Sequence, residues 1–154
     1  AVKIEGGAEI APMIKRMVDA GIPVSGHLGL TPQSVHKFGG YGLRAKDEAE
    51  AEKLIADAKA LDEAGCFCIV LEKVPAALAQ KVTESVSCAT IGIGAGNCCD
   101  GQVLVYADML GMNPSFKPKF VRKYADLYNV MTSAIAQYVS DVKSTDFPNE
   151  TESY

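Results

Sequence analysis

The sequence predicts an α/β fold built on a parallel sheet, and within that class a (β/α)8 barrel. Two observations carry the class: strand-like and helix-like periods alternate along the chain, and the strand-like runs are apolar nearly throughout, as parallel strands buried on both faces are. A third selects the barrel. Lys3, Glu5, His27, Glu72 and the Gly94/Gly96 pair all fall at or near the C-terminal ends of successive strands. Barrels assemble sites from many strand ends at that face, whereas an open doubly wound sheet gathers its site at one switch point.

The elements follow in order. "AVKIEG" (1–6) is a short β-type run. In "AEIAPMIKRMVDAG" (8–21), Ile10, Met13, Ile14, Met17 and Val18 recur at helical spacing and Gly21 ends the helix. "IPVSGHLGL" (22–30) is a strand with Pro23 at its start, where a missing N–H costs little. A polar, glycine-rich loop runs from Thr31 to Lys46. "DEAEAEKLIADAKALDEAG" (47–65) is a helix, acidic in its first turn as the macrodipole prefers.

"CFCIVLE" (66–72) reads as a strand, and "PAALAQKVTESV" (75–86) as a helix with Pro75 in its first turn. "CATIGIGAG" (88–96) is a strand running into glycines. "DGQVLVYADMLGM" (100–112) fits either a strand or a short helix. A long helix is expected from about Pro118 to Lys143, followed by the polar tail "STDFPNETESY". Residues 1–143 are thus expected to belong to a single barrel domain, with 144–154 as its tail.

Composition narrows the function classes. With 48% hydrophobic and 22% charged residues, the 154-residue chain is globular rather than disordered. A net charge of −4 without long single-sign runs argues against nucleic acid or an anionic membrane as partner. No apolar run approaches the roughly 20 residues of a membrane helix. The first residues do not read as a signal peptide, because Lys3 and Glu5 interrupt the only apolar stretch there. Five cysteines lack a disulfide-type spacing, and neither histidine stands near one. That argues against zinc and for reduced thiols in the cytoplasm.

Lys3 and Glu5, at i and i+2 of a strand, share a face. They form either an ion pair on a half-exposed sheet or a charged pair committed to a ligand or metal. Glu72 closes an apolar run, and a carboxylate at the low-dielectric end of a buried strand suits a general base. The bland alternative is that it caps the next helix or reaches solvent. His27, between Gly26 and Leu28-Gly29, is by itself no more than a strand-end histidine. "GIGAGN" (92–97) is no dinucleotide fingerprint, because the sixth place is Asn97; a turn letting substrate approach the backbone explains it better.

Laid end to end, "VKIEGG", "GHLGLTPQSV", "FGGYGLRAK", "VLEKVP", "IGIGAGN", "DGQVLVYADMLGM" and "PKFVRKYADL" resemble the ketopantoate hydroxymethyltransferase (3-methyl-2-oxobutanoate hydroxymethyltransferase) family, through to the closing "FPNETESY". The resemblance implies a (β/α)8 barrel of which this chain covers about the last five βα units. It implies transfer of a one-carbon unit from 5,10-methylenetetrahydrofolate to 3-methyl-2-oxobutanoate, giving 2-dehydropantoate in pantothenate biosynthesis. Mg2+ is the implied cofactor, chelating the oxo acid and stabilising its enolate. Carried over by position, Lys3 becomes the substrate-binding lysine, Glu5 a metal-associated glutamate, Glu72 the proton acceptor and His27 an active-site histidine that binds substrate. The family's two principal metal-binding aspartates have no counterpart in this sequence. A large homo-oligomer is implied as well. The competing reading is a catalytically silent half-barrel that serves only as an assembly or binding module.

Overall fold

A computed structural model describes residues 1–154, which separate into two compact units, Ala1–Val103 and Leu104–Tyr154. The first unit carries the sheet. Its strands are β1 (Val2–Glu5), β2 (Val24–Gly29), β3 (Cys68–Glu72), β4 (Ala89–Ile93) and the short β5 (Gly101–Gln102). All pair in parallel, in the order β1-β2-β3-β4-β5. Sequential order without a reversal is what successive right-handed βα units lay down in a barrel; a doubly wound sheet would contain a switch point.

Helices α1 (Ala11–Asp19), α2 (Glu48–Glu63) and α3 (Ala76–Ser85) connect the first four strands. The sheet face bearing Val24, Leu28, Ile69 and Leu71 packs on Ile14 of α1, Leu54, Ala58 and Leu61 of α2, and Leu78 and Val82 of α3. These side chains are all but inaccessible, and each contributes about 1.5–3 kcal/mol of hydrophobic stabilisation. Asp47 caps α2 by accepting from the Glu50 N–H at 2.9 Å, which explains its start after the polar loop.

The expected helix over 8–21 divides. Ala8–Ile10 form a 3-10 turn, and α1 begins at Ala11 with Pro12 in its first turn, where a proline belongs. The segment that periodicity left open, 100–112, holds both candidates: the two-residue β5, then the short helix α4 (Tyr106–Met109). No helix joins β4 to β5. The connection is instead stapled back on β4 by Asp100, whose carboxylate accepts from the Thr90 N–H at 2.7 Å and its hydroxyl at 3.0 Å.

In the second unit the expected long helix is α5, and it starts at Leu127 rather than Pro118. Lys117, Lys119, Arg122 and Lys123 would have crowded positive charge into the first turns of a helix begun at Pro118, where the macrodipole is also positive. A helix beginning at Leu127 has Asp126 at its N-cap and Lys143 in its last turn, the favourable polarity. Beyond α5, Phe147 meets Tyr138 edge to face at 5.5 Å. The tail is not featureless: Asn149 and Glu152 form a capping box around a 3-10 turn at Glu150–Glu152. No helix in the chain is long and apolar enough to cross a membrane.

Candidate functional site

Register decides which side chains meet. Lys3 pairs with Ser25 and Glu5 with His27 across β1–β2; Ser25 pairs with Cys68, His27 with Val70 and Gly29 with Glu72 across β2–β3. Side chains alternate along a strand, so Lys3, Glu5, His27 and Glu72 share one face. It is the face opposite the helix-packed core. Glu5 and Glu72 sit at the C-terminal ends of β1 and β3, with His27 between them on β2.

The His27 ring is 1% exposed, while the Glu5 and Glu72 side chains keep 18% and 19% of their surface open. Nδ1 lies 3.7 Å from Glu5 Oε1, and Nε2 lies 3.2 Å from Glu72 Oε2. Neither ring nitrogen completes a well-aligned hydrogen bond. The 3.2 Å approach is therefore electrostatic proximity at a poor angle.

Lys3 and Glu5 form no ion pair. Lys3 is exposed, and Glu5 turns its Oε2 to the backbone N–H of Gln33 at 2.9 Å. Glu72 does not cap α3, whose N-cap is Pro75 without a side-chain hydrogen bond. Of the glycines after β4, Gly96 serves packing: a Cβ there, where φ is +80°, would lie 2.4 Å from the Ala76 Cβ. The loop therefore presses on α3 there.

The chain's own donors do not assemble a Mg2+ site. No three His, Cys, Asp or Glu side chains gather at ligand spacing, and one Glu5 oxygen is already committed to Gln33. Mg2+ wants six oxygens in an octahedron, several of them commonly water or substrate. Of the implied ligands, Glu5 is the one this chain offers.

Three features had no sequence signal. The Gln33 contact is made by a backbone N–H, which any residue but proline supplies. Lys73, next to Glu72, adopts a left-handed φ of 48° that bulky residues avoid. Its N–H donates to Ile93 O at 2.9 Å, its carbonyl accepts from Arg44 N at 2.8 Å, and its ammonium donates to the Tyr41 carbonyl. The 31–46 loop is thereby fastened to the end of β3. Arg44 continues the tether, lying 4.1 Å over the Phe38 ring and pairing with Glu50. Under this loop is a cavity of about 270 Å3, lined in part by Gly6, His27, Thr31, Phe38, Lys53 and Asp57 but not by Glu5 or Glu72. The third feature is Asp57 itself, on α2, which reaches the turn after β1.

Strand ends of a sequentially ordered parallel sheet, of the kind a (β/α)8 barrel contains, here set two carboxylates on either side of a buried histidine, with an exposed lysine on the same face. The comparisons with known proteins give the family. The family model described as ketopantoate hydroxymethyltransferase matches residues 1–150, and the chain belongs to that family. It is 64% identical over its full 154 residues to the 3-methyl-2-oxobutanoate hydroxymethyltransferase of Bacteroides thetaiotaomicron, covering 56% of that protein. The enzyme of the same name from Flavobacterium johnsoniae is 63% identical with 57% covered, and that of Salinibacter ruber 60% with 58% covered. The chain thus spans little more than half the length of these relatives. The YdjI aldolase from Escherichia coli K12 superposes at a TM-score of 0.40 with 18% identity, over 71% of this chain and 46% of that one, too distant to bear on function.

Proposed function

We propose that this chain is part of an enzyme that transfers a hydroxymethyl group from 5,10-methylenetetrahydrofolate to 3-methyl-2-oxobutanoate, giving 2-dehydropantoate. The observation that carries the reading is the placement of Glu5, His27 and Glu72 on one sheet face at three adjacent strand ends, within a chain of this family. In this reading Glu72 removes the C3 proton of the oxo acid. It is partly open to an incoming carbon acid yet backed by an apolar strand, as a general base needs to be. Water hydrolyses the methylene bridge, breaking both carbon–nitrogen bonds and freeing tetrahydrofolate and a one-carbon unit at the formaldehyde level. The carbanion adds to that carbon, whose oxygen takes up a proton and becomes the product hydroxyl. Lys3, exposed and unpaired on the same face, holds the substrate carboxylate by a charge-assisted contact.

His27 stands between the two carboxylates, 3.7 Å from Glu5 and 3.2 Å from Glu72. Mg2+ is the expected cofactor of the whole protein, and these residues contribute Glu5 to holding it. Homo-oligomeric assembly and a cytoplasmic location are carried over from the family resemblance.

The test is product formation. The full-length protein, given both substrates and Mg2+, should yield 2-dehydropantoate and tetrahydrofolate. Absence of both products under conditions where the protein is folded would leave the silent-module reading in its place.

A further inference from the structure

We propose that Asp57 is a positioning residue: it clamps the turn that follows Glu5 and thereby fixes where the Glu5 carboxylate stands. The inference rests on the proposed role of Glu5 in the site. Four observations support it. Asp57 is a buried carboxylate, 8% exposed, on the core-facing side of α2. Its Oδ1 accepts the backbone N–H of Ala8 at 3.0 Å, three residues beyond Glu5. Both its oxygens are held by the Lys53 ammonium, at 2.8 and 2.6 Å, and that bond raises the Lys53 pKa. At Gly7 the turn lies so flat on the carboxyl group that a Cβ would fall 2.2 Å from Asp57 Cγ.

Glu5 needs such support. Beyond Glu5 the pairing of β1 with β2 thins to a 3.4 Å contact from Gly6 N to His27 O. Glu5 Oε2 must still meet Gln33 N while Oε1 faces His27. A turn free to swing would carry the carboxylate away from both. Site geometry is steep in this respect: a displacement near 1 Å costs about 100-fold in rate.

The experiment is a double-mutant cycle in the full-length protein, read as kcat/KM for hydroxymethyl transfer. Asp57→Ala should lower kcat/KM about 10- to 100-fold. Asp57→Asn, which keeps an oxygen for the Ala8 N–H, should stay within about 3-fold of wild type. In a Glu5→Gln background, Asp57→Ala should cost less than about 2-fold more, because the group it positions is already disabled. Equal fold-losses in the two backgrounds would overturn the proposal, since Asp57 would then act independently of Glu5. If Asp57→Ala does not fold, Asp57→Ser, too short to reach Ala8, takes its place in the same cycle. Wild-type turnover by Glu5→Gln would remove Glu5 from the proposed site and this inference with it. A crippled Glu5→Gln with additive Asp57 losses would overturn the inference alone.

Discussion

Replacing Gly7 by alanine should damage the fold far more than such a small change ordinarily does. The new Cβ would stand 2.2 Å from Asp57 Cγ and 2.3 and 2.4 Å from its oxygens. Carbon atoms in ordinary contact are at least about 3.5 Å apart, so turn and carboxylate must separate by more than 1 Å. Neither has room, because Asp57 is buried and held on its other side by Lys53. Overpacking of this kind costs about 1–3 kcal/mol. Separation also breaks the charge-assisted bond from Ala8 N, worth about 1.5–3 kcal/mol. The two costs share one movement, so the combined loss is about 3–5 kcal/mol. At about 2–4 °C per kcal/mol, the full-length protein should melt about 6–20 °C lower. Adding Asp57→Ser should return part of that loss, because the obstructing atoms are gone. A Gly7→Ala protein melting within about 1 °C of wild type would refute the packing described for this turn.

Two further outcomes follow from the first unit. Asp62 accepts from Ser87 N at 2.7 Å, Ser87 Oγ at 3.0 Å and Cys88 N at 3.0 Å; burial opposes its charge, but these bonds prevail and hold its pKa below the ordinary carboxylate value. A depressed folded pKa contributes stability above the unfolded value near 3.9 that is lost as pH falls through the folded one. Asp62→Asn should therefore cost about 1 kcal/mol at pH 7 after allowance for solvent screening, and in denaturant titrations the gap to wild type should narrow as pH falls below the unfolded carboxylate value; a gap independent of pH would contradict this. Burial, with Asp62 beside it, pushes the Cys88 thiol up to about 12, so at pH 8 an alkylating reagent should label exposed Cys98 and spare Cys88 in the native protein. Equal labelling rates at the two, read by peptide mass spectrometry, would show that the β4 entry is open.

Much of the fold was legible because parallel strands and amphipathic helices write different periods. "CFCIVLE" and the stripe Ile14, Met17, Val18 could hardly have been mistaken for one another. Boundaries slipped where local chemistry overrode periodicity. Pro12 shifted the start of α1, and the cations at 117–123 delayed α5. The 100–112 segment was unreadable because a two-residue strand and a four-residue helix are both shorter than any period can register.

Glu5, His27 and Glu72 were legible as strand-end residues, and the shared face of Lys3 and Glu5 followed from spacing alone. What spacing could not supply was the neighbour across the sheet. His27 lies between the two carboxylates because of register, which depends on where each strand starts. Backbone donors such as Gln33 N, and a carboxylate arriving from a helix 52 positions beyond Glu5 in the numbering, as Asp57 does, leave no local mark at all.

The central claim is that Glu72 is the base. It is tested most directly by solvent exchange of the C3 proton of 3-methyl-2-oxobutanoate, followed by NMR in deuterated buffer without folate. Exchange isolates proton abstraction from carbon–carbon bond formation. Wild-type full-length protein should catalyse it, and Glu72→Gln should slow it by about 100- to 10,000-fold. Binding of the oxo acid should be nearly unchanged, since the proposed contact to its carboxylate is made by Lys3 and not Glu72. Exchange at the wild-type rate in a folded Glu72→Gln protein would contradict the account and leave Glu72 a structural neighbour of His27.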